Sequence, residues 1–171
     1  MNPLLDQIAA WLETGGCGET RFGRERALDV AAAVGSVWNR DRRVLLCQGP
    51  EESGARAVAA TAARTWSRPR PPYYMDATGS SFALLASRAC YTEDRLRELE
   101  ATYHVDGLGL EKPDDDVRAF LDRWLARAGE RHARQVMFVW TPLGCAALTE
   151  RYGPHVVDRL VAASSVVDLR R

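Results

Sequence analysis

An α/β fold, with a mostly parallel five-stranded sheet and helices on both faces, is what the order of apolar patterns predicts. Three observations carry it. Short apolar runs alternate with segments of helical spacing from residue 43 to residue 169. The first of them, Arg43–Cys47, is near-continuous rather than strictly alternating, as in a strand buried on both faces. Gly/Pro-rich punctuation and whole helices separate the runs, so the strands are joined by crossovers rather than hairpins.

Each element has its own signal. Pro3–Glu13 carries Leu4, Leu5, Ile8, Ala9 and Leu12 on one helical face, and Thr14-Gly15-Gly16 stops it. Arg24–Trp38 repeats the pattern with Ala27, Leu28, Val30, Ala31, Val34 and Val37. Arg43–Cys47 reads as a central strand. Gln48–Ser53 is a loop, and the Ala-rich helix Gly54–Trp66 follows at once. After Arg68-Pro69-Arg70-Pro71-Pro72 comes a second strand, Tyr73–Asp76, then helices at 80–88 and 92–100, with Thr92 as N-cap of the latter. Tyr103–Asp106 is a third strand. Pro113 opens a long helix to Ala128, with Asp114, Asp115 and Asp116 in its first turn, where the helix dipole favours acids. Val117, Phe120, Leu121, Trp124 and Leu125 form its apolar face. Gln135–Trp140 is a fourth strand, 143–152 and 154–162 are short helices, and Ser165–Leu169 is the last strand. No repeat or linker interrupts the order. The expected layout is one structural domain, with residues 1–40 as N-terminal helices packed on a core at 41–171.

Composition narrows the function classes. The chain has 171 residues, 46% hydrophobic and 27% charged, enough to bury a core and too ordered in pattern for a disordered chain. Formal net charge is zero, which removes a global electrostatic case for nucleic acid or membrane. Lys112 is the single lysine among 23 basic residues. Cys17, Cys47, Cys90 and Cys145 form no CxxC pair, and no Cys/His cluster has zinc spacing. Cys47 and Cys145 lie in apolar segments and read as buried thiols. No basic start followed by an apolar run suggests a signal peptide, and no stretch approaches ~18 apolar residues. A cytoplasmic location is expected.

One loop carries most of the chemical argument. A P-loop is a strand, then G-x-x-x-x-G-K-[ST], then a helix. Its amides wrap phosphates, its lysine neutralises charge and its hydroxyl holds magnesium. Here Gly49-Pro50-Glu51-Glu52-Ser53-Gly54-Ala55-Arg56 follows a strand and opens a helix, with Gly49 and Gly54 at the right spacing. Ala55 stands at the lysine position and Arg56 at the hydroxyl position, while Glu51 and Glu52 put negative charge where phosphates would sit. Two unit charges ~4 Å apart interact at about 4 kcal/mol at an effective dielectric near 20, so the exchange of an ammonium for carboxylates weakens triphosphate binding severely.

The second half extends the pattern. Val105-Asp106-Gly107-Leu108-Gly109-Leu110-Glu111-Lys112-Pro113 resembles the Walker B segment of the DnaC/IstB family of AAA+ proteins, the helicase loaders and transposition ATPases. The resemblance covers roughly 43–171. It implies a three-layer P-loop (AAA+-like) fold without a lid domain. Asp106 matches the first acid, and Gly107 stands where the water-activating acid belongs. Thr141-Pro142 replaces the family's Ser/Thr-Asn at the end of the fourth strand. Arg159 matches the arginine such proteins offer to a neighbour's nucleotide.

The resemblance therefore implies a degenerate nucleotide site at Gly49, Gly54, Ala55, Arg56, Asp106 and Gly107, with weak or absent ATP/Mg binding and no cofactor. The expected function is a catalytically inactive adaptor for a protein partner, a helicase, an AAA+ ATPase or a transposase, with DNA as a further candidate and no membrane. The alternatives are a divergent ATP-binding enzyme of the same family, or an interaction subunit of an unrelated complex.

Individual residues keep two readings. Arg159 is either a trans-acting finger or a helix arginine paired with a nearby acid. Asp106 is read as a structural acid capping the next turn in preference to a magnesium ligand. Arg68 and Arg70, beside Tyr73 and Tyr74, either contact single-stranded nucleic acid or belong to a rigid loop feeding a strand whose tyrosines pack inside. Lys112 either touches DNA, pairs with Glu111 or is a plain surface residue. Trp124 reads as core, and His104 as hydrogen-bonded within its strand.

Overall fold

Five parallel strands in the order β2-β3-β4-β1-β5 form the centre of the molecule. The computed structural model describes residues 3–15, 21–66, 73–77, 102–112, 115–128 and 135–170. Along the chain the elements are α1 (Pro3–Glu13), α2 (Arg24–Trp38), β1 (Val44–Gln48), a 3-10 turn (Glu51–Ser53) and α3 (Ala55–Trp66). There follow β2 (Tyr73–Asp76), β3 (Thr102–Asp106), α4 (Asp115–Ala128), β4 (Val136–Thr141), α5 (Cys145–Tyr152), α6 (Pro154–Ala163) and β5 (Ser164–Asp168). The helices expected at 80–88 and 92–100 lie outside the described residues.

Side-chain parity divides the core in two. Met75, Val105, Val139 and Leu46 occupy successive registers across β2, β3, β4 and β1. They face Val117, Phe120, Leu121 and Trp124 of α4, Leu148 of α5 and Leu160 of α6. The next residues along the strands point the other way. Leu45, Cys47, Phe138 and Trp140 meet Val30, Ala31 and Val34 of α2 and Val58, Ala59, Ala62 and Ala63 of α3. The alanines let α3 lie close against the sheet. Each large side chain buried this way, Phe120 and Phe138 among them, contributes about 1.5–3 kcal/mol. Trp124 belongs to the core as its spacing implies, at 3% exposure. Leu28 is a correction: it is 38% exposed and not part of the buried face of α2.

The chain connections position the site. β1 lies inside the sheet, between β4 and β5. Its connection carries α3 on one face towards β2, and the connection from β4 carries α5 and α6 on the other face towards β5. Connections that leave neighbouring parallel strands in opposite directions mark the C-terminal edge as the place where open α/β sheets hold ligands. Asp106, Trp140, Thr141, Gln48 and Gly49 all sit at that edge.

Among the described residues no helix is long and apolar enough to cross a membrane.

Candidate functional site

The loop read as a phosphate cradle does join an interior strand to a helix. Gly49 leaves β1 where two neighbours hold it. Its N–H donates to the Thr141 carbonyl (3.0 Å), and its own carbonyl accepts from Trp140 Nε1 (2.9 Å). A Cβ at this residue would stand 2.5 Å from Ser53 Oγ and 3.0 Å from the Leu169 carbonyl, so the close approach requires glycine. Gly54 ends the 3-10 turn at φ +83°, in the left-handed region that glycine enters without strain.

Between these glycines the loop bonds to itself. The Ser53 N–H donates to the Pro50 carbonyl (3.0 Å), the Gly54 N–H to the Glu51 carbonyl (3.4 Å), and the Ala55 N–H to Ser53 Oγ (3.3 Å). The Ser53 hydroxyl donates to the Pro50 carbonyl at 2.6 Å. A phosphate cradle works by converging such amides on an anion. Here three of them already have partners inside the turn.

Arg56 takes the centre of the site. From the first turn of α3 its Nε donates to Asp106 Oδ1 (2.9 Å) and Oδ2 (3.2 Å), and its Nη2 to Oδ2 (2.9 Å). Its Nη1 donates to Glu51, closing back over the loop. The guanidinium carbon lies 5.2 Å from the centre of the Trp140 ring, within cation–π range. The hydrogen bond that Arg56 donates to Asp106 is the largest influence on it, raising its pKa further above the usual arginine value. The Asp106 side chain is 5% exposed and that of Arg56 is 41% exposed, so the acid is interior and the base sits at the mouth. Tyr74 completes the set: its hydroxyl donates to Asp106 Oδ2 at 2.5 Å. Burial first, and then this bond, push the phenol up to about 12.

Two expectations are corrected by this arrangement. Asp106, expected to cap the next turn, accepts from Arg56 and Tyr74. Tyr74 does not pack inside: half of it is exposed, and only its hydroxyl reaches the interior acid. Gly107 acquires a backbone reason, since its φ of +89° opens a turn in which Leu110 N–H donates to its carbonyl at 2.9 Å. Thr141 is fully buried, its hydroxyl donating to the Leu108 carbonyl (2.6 Å) and accepting from the Leu143 N–H (3.1 Å), so it ties β4 to the loop after β3.

No protein-family model, curated protein or solved structure matches this chain.

The other singled-out residues lie apart from the cradle. Glu111 is buried. Its Oε2 accepts from the Gly109 N–H (2.8 Å), and its Oε1 accepts from Arg151 Nε (3.1 Å) and from the Tyr152 hydroxyl. The partner of Glu111 is therefore Arg151, forty residues away in sequence, while Lys112 is exposed. Burial, then Glu111, raises the Tyr152 pKa. Arg159 donates through Nη1 to Asp122 of α4 at 2.7 Å, and its side chain is 32% exposed. Cys47 is buried as expected, whereas Cys145 is only partly so and accepts from Gln48 Nε2 at 3.5 Å. Arg68 and Arg70 lie outside the described residues. Among the described residues no group of three or more His, Cys, Asp or Glu is placed to hold a metal ion.

Tyr74, Trp140 and His104 are site residues that motif spacing does not reach. The strand register could have found two of them: Tyr74 pairs with His104, and His104 and Asp106, two apart on β3, share a face. The His104 Nε2 is buried with no hydrogen-bond partner, and burial lowers the pKa of the ring.

Proposed function

We propose that this protein is a non-catalytic adaptor with a P-loop, AAA+-like architecture, whose nucleotide cradle is closed from within by Arg56. One observation carries the reading: the Arg56 guanidinium bridges Asp106 and Glu51 across the cradle mouth. A triphosphate entering there would meet Glu51 and Glu52 and have to take Arg56 from an interior acid. The self-bonded amides of Ser53 and Gly54 support the same reading, because the loop would have to open before it could offer them. The all-parallel sheet, and the gathering of the Gly49 loop, Asp106 and Thr141 at one edge, support the P-loop relationship.

With hydrolysis removed, a scaffold of this kind acts by binding. The DnaC/IstB resemblance suggests the partner class: a replicative helicase, an AAA+ ATPase or a transposase. A trans-acting role for Arg159 would require it to leave Asp122 on assembly.

Titration with a fluorescent ATP analogue and magnesium tests the reading. The wild-type chain is expected to give no saturable signal at millimolar nucleotide. Saturable binding in the micromolar range would overturn the adaptor reading in favour of a divergent ATP-binding enzyme.

A further inference from the structure

His104 lies two residues before Asp106 on β3, and its Nε2 is buried with no hydrogen-bond partner. It is 5% exposed, pairs in register with Tyr74, and meets the Tyr74 ring edge-on at a centroid distance of 5.2 Å. Asp106 lies two residues further on the same face of β3, about 7 Å along the strand. The other charged or titratable groups around it are Tyr74 and Asp76 of β2 and Arg56 and Arg64 of α3. Its neighbour on β4, Phe138, offers no polar group.

We propose that His104 is an acid-sensitive release for the Arg56–Asp106 bridge: protonation of the imidazole draws Asp106 away from Arg56 and frees the guanidinium at the cradle mouth. Neutral, the ring is tolerated as an apolar neighbour of Tyr74 and Phe138. Charged, it becomes an interior cation flanked by two arginines, and such a group is stable only with an acceptor. Asp106 is the carboxylate on its own strand face, and an imidazolium that draws on it competes with Arg56 and Tyr74 for the same group. Burial delays protonation to below the ordinary histidine value of 6.5, so the bridge is closed at neutral pH and opens under acid. The inference rests on the bridge alone and not on whether a nucleotide binds.

Nuclear magnetic resonance on the nucleotide-free chain tests it. The Arg56 Nε–H signal, identified by its loss in Arg56→Lys, reports the bridge. The His104 ring signal, identified by its loss in His104→Gln, reports protonation. Between pH 7.5 and 5 the Arg56 signal should be lost with the same midpoint as the His104 titration, and it should persist over that range in His104→Gln. His104→Leu serves as a second replacement if the glutamine variant does not fold. An Arg56 signal that stays unchanged in the wild type while His104 titrates would overturn the proposal. So would an equal loss in the wild type and the His104 variants, or a His104 ring that stays neutral down to pH 5. Failure of the nucleotide titration leaves all of these readouts intact, so the two claims fail separately.

Discussion

Arg56 and Asp106 form a forked ion pair fifty residues apart in sequence, two guanidinium nitrogens each standing 2.9 Å from a carboxylate oxygen. It joins the start of α3 to the end of β3 across the sheet edge. An interior acid held by a base at the mouth is a coupled unit, and removing either member exposes the other's desolvation cost. Arg56→Gln and Asp106→Asn should each destabilise the chain by about 1–3 kcal/mol. The double variant should cost less than the sum, with a coupling of roughly 0.5–3 kcal/mol. Urea denaturation of the four proteins measures the cycle. Simple additivity would mean that the pair contributes nothing as a pair.

Tyr74 links the same acid to alkaline pH. Its phenol is raised from 10.0 to about 12 in the folded chain. The unfolded chain therefore loses this proton first as pH rises. The stabilisation is fully present below pH 10 and is lost between about 10 and 12. Over that window the wild type should lose stability more steeply than Tyr74→Phe, which has no phenol to ionise. Parallel stability curves above pH 10 would contradict the raised phenol.

Gly107 tests whether that position is set by its backbone. Its φ of +89° lies where a side chain is strained. Gly107→Glu should cost about 1–2 kcal/mol of stability and, on the adaptor proposal, confer no ATP hydrolysis. Thermal unfolding and a phosphate-release assay on one preparation read both effects.

Glu111 pairs with Arg151 rather than with Lys112. Its carboxylate meets the Gly109 amide, Arg151 and the Tyr152 hydroxyl, pinning the turn after β3 to the end of α5. Glu111→Ala leaves those donors buried or half-buried and should cost about 3–5 kcal/mol. Lys112→Ala, at an exposed position, should stay within about 0.5 kcal/mol of the wild type. Equal effects would place the motif's importance elsewhere.

The sequence was most informative where period and burial coincide. Continuous apolar runs located β1 and β4 because those strands are covered on both faces. The spacing of Val117, Phe120, Leu121 and Trp124 marked the buried side of α4. The reading of β1 stopped one residue short, since Gln48 is polar yet pairs through its main chain with Thr141 and Asp168. Apolar patterning does not register a residue held by its backbone. Ala55 and Arg56 at the head of α3 were visible as residue types. That Arg56 turns inward to Asp106 and Glu51 was not, because a contact over fifty residues depends on the crossover that brings α3 against β3. Glu111 with Arg151 and His104 beneath Tyr74 were hidden for the same reason. They depend on strand register and helix docking, which local spacing does not encode.

Crystals grown with ATP and magnesium test the central claim most directly, because they observe the cradle and Arg56 together. The closed bridge requires that Arg56 remain on Asp106 and Glu51, and that no ordered triphosphate occupy residues 49–56. An ordered triphosphate seated on those amides, with Arg56 displaced from Asp106, would contradict it.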